Sequence, residues 1–203
     1  MLGTQHSLEE EDGQRFNEAV LFNSIGKEPY RQRKLWPASI GADQAKVLGL
    51  CCHSSSVLEN NAAARTVRIA DMDWFGHVIV LICQDTQLSI AAQLIENFQP
   101  DWVLVPILDC NLAAARWAHR RTLALSANCQ TRFVAVTSTT LKWRYEHDTD
   151  PVIGMAIGPA VPASDREMER SAICVVADPD QSPAIGRAVW GGQGWVQSLV
   201  VTN

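Results

Sequence analysis

With 203 residues, 47% of them hydrophobic, the chain is long enough to bury the core of one domain and too apolar to be a disordered tail. Its net charge is -5, and apart from Arg31, Arg33, Lys34 and the Arg120-Arg121 pair the basic residues are scattered, which argues against nucleic acid as a partner. No apolar run approaches the ~20 residues needed to span a bilayer, and no basic segment followed by an apolar one opens the sequence, so no membrane association and a cytoplasmic location are expected.

In chain order, Arg15 to Phe22 reads as a strand, 23–27 (Asn-Ser-Ile-Gly-Lys) supplies turn chemistry, and Tyr30 to Trp36 reads as the returning strand of a hairpin. Lys34 lies near the far end of that hairpin and shares a pleat face with Tyr30, Gln32 and Trp36. A lysine on such a face is either a functional cation or a side chain that snorkels to water. Residues 37 to 65, with Pro37, Gly41, Gly49, three serines at 54–56 and three alanines at 62–64, read as a loop holding a short helix. Cys51-Cys52-His53 lacks the paired spacing of a structural zinc site, and no metal or other cofactor is expected.

Thr66 to Met72 alternates weakly as a strand, Phe75-Gly76 offers a turn, and the apolar run from His77 to Ile82 ends at Cys83, followed by the polar turn Gln84-Asp85-Thr86. Leu88, Ala91, Ala92, Ile95 and Phe98 then recur at helical spacing until Pro100. Trp102 to Leu108 is a second aliphatic run, suited to a strand covered on both faces. The order is strand, helix, strand, with Cys83 at the switch. A thiol beside a helix N-terminus gains from unpaired backbone N–H groups and the macrodipole, so its pKa is expected to fall. The same residue also fits a small buried hydrophobe, as most free cysteines do.

Leu112 to Asn128 carries apolar residues on one side and reads as a helix, and Phe133 to Thr137 as a strand. Lys142 to Pro151 is polar, which makes Glu146-His147-Asp148 a solvated face rather than a triad. Val152 to Ile157, Ala172 to Ala177 and Gly194 to Val201 are short strands separated by Gly and Pro, and 191–194 (Gly-Gly-Gln-Gly) is a turn without the context of a phosphate loop. No repeat or long linker divides the chain, so residues 1–203 read as one α/β domain. The six cysteines, at 51, 52, 83, 110, 129 and 174, include no CxxC pair and fit free thiols in a reducing compartment.

Three stretches in order resemble the nitrilase, or carbon–nitrogen hydrolase, superfamily. The hairpin Arg15–Phe22 with Tyr30–Leu35 is similar to the one that ends in that family's catalytic lysine. The stretch Val80-Leu81-Ile82-Cys83-Gln84-Asp85 is similar to its nucleophile strand and turn, and Asp101 to Pro106 to the next strand. The resemblance implies an αββα sandwich of the nitrilase type, commonly self-associating, hence a homo-oligomer acting on a small-molecule substrate. It implies hydrolysis of non-peptide amide, nitrile or N-carbamoyl bonds, with Cys83 as nucleophile and with Lys34 and the Gln84 backbone N–H as oxyanion donors.

The chain departs from that pattern in its carboxylates. The family's general-base glutamate lies on a strand before the hairpin, whereas Met1 to His6 resembles the strand that follows it, so an N-terminally incomplete domain is expected. Glu9, Glu10, Glu11 and Glu18 fall at the wrong place and read as a solvated acidic run. Glu59 is the one glutamate between Lys34 and Cys83, where the family often has a supporting carboxylate, and Ala124 and Ala127 stand where an arginine and a glutamate are common. Two other roles fit the same residues: a catalytically inactive binding module, and a redox thiol pairing Cys83 with Cys110.

Overall fold

The computed structural model describes residues 2–6, 16–22, 27, 30–47, 56–59, 66–73, 75–109, 112, 116–126, 129–137, 152–159, 170–177 and 186–190. Three strands, β1 (Leu2–His6), β2 (Asn17–Leu21) and β3 (Tyr30–Arg33), form an antiparallel sheet with β2 in the middle. In β3, Tyr30 and Gln32 are buried and alternate with half-buried Arg31 and Arg33, the period-two pattern of a strand with one face inward. Register sets Glu18 directly opposite Arg33. Glu18 is fully buried and ion-paired at 2.8 Å to both Arg31 Nη1 and Arg33 Nε, so it is a structural carboxylate and not part of a solvated run.

A two-stranded ribbon, β4 (Ser39–Gly41) and β5 (Ser56–Leu58), flanks the short helix α1 (Ala42–Val47). The short helix expected between 37 and 65 is present, and two strands accompany it. Pairing of Ser39 with Leu58 brings Glu59 alongside Ala38, whose carbonyl accepts the Glu59 N–H at 3.2 Å.

Among the described residues, the main sheet has seven strands. β6 (Ile69–Met72) and β7 (Gly76–Val80) form a hairpin, and β8 (Trp102–Ile107) and β9 (Arg132–Thr137) follow in parallel with β7. β10 (Val152–Pro159), β11 (Arg170–Ala177) and β12 (Gly186–Trp190) continue the sheet antiparallel, in the order β12-β11-β10-β9-β8-β7-β6. At the β6–β7 turn Gly76 has φ 79, and a side chain there would collide with the Asp101 carboxylate. Helix α2 (Ser89–Phe98) connects β7 to β8, and α3 (Trp117–Ser126) connects β8 to β9. Both are crossovers between adjacent parallel strands running the same way, and the right-handed rule sets both helices on one face of the sheet.

Val78, Ile79 and Val80 of β7 are all buried, so the second face of the sheet is covered too. Ala19, Leu21 and Tyr30 of the small sheet belong to the same apolar cluster as β7, β8, Ile95 and Leu125, which identifies the cover. Polar stitches fix the contact. The Tyr30 hydroxyl donates to the Arg68 carbonyl at 2.9 Å and accepts from Val80 N–H at 3.3 Å, while Gln32 Nε2 donates to the Thr66 carbonyl and Gln32 Oε1 accepts from Arg68 N–H, each at 2.8 Å. The described layers run helices, sheet, sheet, the first three of the αββα sandwich expected.

Several elements are shorter than the sequence patterns suggest. The hairpin ends at Arg33, the strand read from Thr66 begins at Ile69, and the helix read from Leu112 to Asn128 spans Trp117–Ser126. β12 was not anticipated. The loop at 142–151, the strand expected at 194–201 and the residues Glu9, Glu10, Glu11, Cys51, Cys52, His53 and Cys110 lie outside the described residues. Among the described residues no helix is long and apolar enough to cross a membrane.

Candidate active site

The site forms where the parallel strands β7 and β8 end, a position to which strand carboxyl ends and the loops after them bring chemistry in open α/β sheets. Leu81 N–H donates to the Leu104 carbonyl at 3.0 Å, the last sheet-like bond along β7. The chain then turns abruptly. Cys83 has φ 53, a left-handed backbone that non-glycine residues adopt at a cost of roughly 1–2 kcal/mol, and it opens a single 3-10 turn, Cys83–Gln87. That turn is held by the Thr86 hydroxyl on the Cys83 carbonyl (2.9 Å) and by Arg121, which reaches from α3 with Nε 2.7 Å from the Thr86 carbonyl.

Lys34 reaches the same place from the small sheet. Tyr30, Gln32 and Lys34 are buried in alternation, so the face that stitches the two sheets together carries the Lys34 side chain into the space between them. Trp36, expected on that face, is instead 41% exposed, because the strand has ended and the chain bends away. Lys34 N–H closes on the Asn17 carbonyl at 2.9 Å. The Lys34 ammonium is ion-paired with Glu59 Oε2, which also accepts from Ala38 N–H at 2.8 Å, while Glu59 Oε1 accepts from Asn17 Nδ2 at 3.0 Å. Thus β2, the turn after β3, and the ribbon of β4 and β5 all converge on one carboxylate.

Cys83 is 8% exposed, and its electrostatic surroundings define the centre. Burial pushes the thiol above its ordinary range; against this, the Leu108 N–H at the end of β8, the Lys34 ammonium and the Gln84 N–H favour the thiolate, while the Glu59 carboxylate opposes it. The expectation of a lowered pKa is therefore overturned. A five-residue turn carries too small a dipole to outweigh desolvation of the sulfur. Cys83 nevertheless senses the charges of both Lys34 and Glu59, and the Gln84 N–H favours its thiolate.

Sequence alone gives Glu59 no position and Asp85 no role. The sole hint for Glu59 was its being the one glutamate between Lys34 and Cys83. Asp85 is fully buried and receives backbone N–H groups from both sides of the site: Oδ1 from Leu35 (3.1 Å) and Trp36 (2.9 Å), and Oδ2 from Leu35 (3.1 Å) and Ile82 (3.1 Å). Among the described residues, no group of three or more His, Cys, Asp and Glu side chains is arranged to hold a metal. The Cys129 thiol, also buried, donates to the Leu125 carbonyl at 3.3 Å.

No protein-family model and no curated protein sequence matches the chain. Solved structures do. Nit3 of Saccharomyces cerevisiae, a member of branch 10 of the nitrilase superfamily, superposes with a TM-score of 0.52 at 15% identity, over 87% of this chain and 58% of Nit3. A variant of the amidase from Nesterenkonia sp. AN1, also of TM-score 0.52 and 15% identity, is matched over 86% of this chain and 60% of its own; it carries the acetamide moiety of fluoroacetamide added at its active-site cysteine. The glutamine-dependent NAD+ synthetase of Acinetobacter baumannii matches at TM-score 0.50 and 17% identity, over 89% of this chain and 31% of that one. The chain spans about three fifths of the length of the first two proteins. Its fold is that of the nitrilase superfamily.

Proposed function

We propose that this chain, built on the nitrilase-superfamily fold, hydrolyses small-molecule amide, nitrile or N-carbamoyl bonds through a covalent intermediate on Cys83. The observation that supports it is the convergence of a strained, largely buried thiol with an ammonium and a carboxylate that both act on its charge. Because burial holds the thiol in its protonated form, it needs a base. Glu59 is that base. Its Oε1 accepts from Asn17 alone among the described residues and keeps acceptor capacity for the thiol proton.

In the reaction the Cys83 thiolate attacks the sp² carbon of an amide, forming a C–S bond while the carbonyl electron pair moves onto oxygen. The Lys34 ammonium and the Gln84 N–H stabilise that oxyanion, each well-placed donor contributing on the order of 3 kcal/mol. The tetrahedral intermediate collapses and the C–N bond breaks, with the nitrogen leaving as amine or ammonia after taking the proton held by Glu59. Water, deprotonated by Glu59, then cleaves the thioester to the carboxylic acid and restores the thiol. With a nitrile the thiolate adds to the sp carbon and the nitrogen takes the proton, giving a thioimidate with nothing expelled; a first water then adds and ammonia leaves to give the thioester, which a second water hydrolyses.

The test combines an amide and nitrile panel with alkylation of Cys83 against pH. Cys83→Ala is expected to abolish turnover; undiminished activity would remove the thiol from the mechanism. Lys34→Met should move the Cys83 alkylation midpoint up, because a favourable cation is lost. Glu59→Gln should move it down, because an opposing anion is lost, yet turnover should fall about 100-fold or more with the base gone. A more acidic thiol with undiminished turnover in Glu59→Gln would refute the role of Glu59.

A further inference from the structure

Beyond the residues that meet substrate, one buried carboxylate links the two halves of the site. The chain leaves β3 at Arg33, so the N–H groups of Leu35 and Trp36, immediately after Lys34, have lost their sheet partners. Asp85 accepts both, at 3.1 and 2.9 Å. Its other oxygen accepts the N–H of Ile82, the residue before Cys83, at 3.1 Å, and Asp85 N–H returns to the Ile82 carbonyl at 3.1 Å. The backbone beside the ammonium and the backbone beside the thiol are thus bonded to the same carboxyl group, which is fully buried.

We propose that Asp85 is a positioning residue that fixes Lys34 relative to Cys83, by binding the backbone just after the lysine and just before the cysteine. The inference rests on the hydrolase reading only in assigning those two side chains to one reaction. Both carboxylate oxygens act as acceptors, which is why an aspartate is needed. The isosteric amide would turn an NH2 group against either Ile82 N–H or Trp36 N–H, two donors facing each other with nothing between to accept. A buried backbone N–H left so must find another partner, and the local chain moves to provide one. Asp85 touches neither sulfur nor substrate in this role. It acts through where it holds Lys34.

A double-mutant cycle on Cys83 reactivity tests this without a known substrate. The probe is iodoacetamide, and the readout is the pH midpoint of alkylation at the Cys83 peptide, measured by mass spectrometry in the wild type, Lys34→Met, Asp85→Asn and the double variant. Lys34→Met should shift the midpoint upward, and in the Asp85→Asn background the same substitution should shift it at least about twofold less. An undiminished Lys34→Met shift in that background overturns Asp85 as a positioning residue and leaves the hydrolase reading standing. Absence of any Lys34→Met shift in the wild-type background instead removes the ammonium from the thiol and refutes the hydrolase reading itself.

Should Asp85→Asn not fold, the wild type decides. The amide protons of Leu35, Trp36 and Ile82 are followed by NMR from about pH 4.5 to about pH 8, with Lys34 the charged group that faces Asp85. Three amides moving together with one midpoint support a shared carboxylate; three moving with separate midpoints, or not moving, overturn it.

Discussion

Asp85 also makes the stability of the fold depend on pH in a direction opposite to that of most salt-bridged carboxylates. Burial pushes its carboxyl up to about 6 from the ordinary 3.8, against the Leu35, Trp36 and Ile82 N–H groups and the Lys34 ammonium, all of which pull it down. A raised folded-state value means the folded protein holds this proton more tightly than the unfolded chain does. The resulting stability is fully present below about 3.8 and is lost as pH rises through about 6. A shift of roughly 2 units corresponds to about 3 kcal/mol, and because the side chain is fully buried solvent screening reduces it little. Urea unfolding of the wild type and Asp85→Asn, followed by tryptophan fluorescence at a series of pH values, isolates the effect, since every other titrating group is common to both. The wild-type stability minus that of the variant should fall by about 2–3 kcal/mol between about pH 4 and about pH 7.5. A difference that stays flat, or that grows with pH, would mean the N–H donors and the ammonium match or outweigh desolvation and would refute the reasoning.

Two further perturbations probe the framework that carries the site. Glu18→Gln removes the buried carboxylate shared by Arg31 and Arg33; both guanidiniums keep access to water, so the expected loss is about 2 kcal/mol, below the ~3–5 kcal/mol of a fully buried broken pair, and thermal unfolding measures it. Tyr30→Phe leaves the buried Val80 N–H without its acceptor and should destabilise by about 1–3 kcal/mol in urea. In the wild type, burial, opposed by the Val80 N–H, raises the Tyr30 hydroxyl to about 12, so ultraviolet titration should show no ionisation of this residue at pH 10.

What could be read in advance was whatever short-range patterning controls. The apolar run ending at Cys83, the helical spacing from Leu88 to Phe98 and the aliphatic run from Trp102 gave β7, α2 and β8, because each is written in consecutive residues. The alternation likewise set Tyr30, Gln32 and Lys34 on one face but left open whether the lysine turns inward or to water; it is buried. Glu59 was beyond reach for a physical reason. It joins Lys34 across 25 positions through the register of two three-residue strands too short to leave a periodic signature. Asp85 reads as an ordinary polar turn residue, and what makes its burial tolerable, three backbone donors from two distant segments, exists only after folding. Glu18 reads as solvated from sequence because its partners across the hairpin are set by register and not by sequence proximity. The acidity of Cys83 is not legible either, because a one-turn 3-10 segment, which lacks the field of a longer helix, follows the strand.

The left-handed backbone at residue 83 has an evolutionary corollary. Glycine relaxes such a conformation, so a descendant released from covalent chemistry could shed the torsional burden with one substitution at the very position that bears the sulfur. A cysteine that stands in that geometry opposes selection for thermodynamic robustness at its own site, the familiar conflict between durability and reactivity. On the hydrolase reading proposed above, drift toward an inert scaffold would thus run downhill at this position.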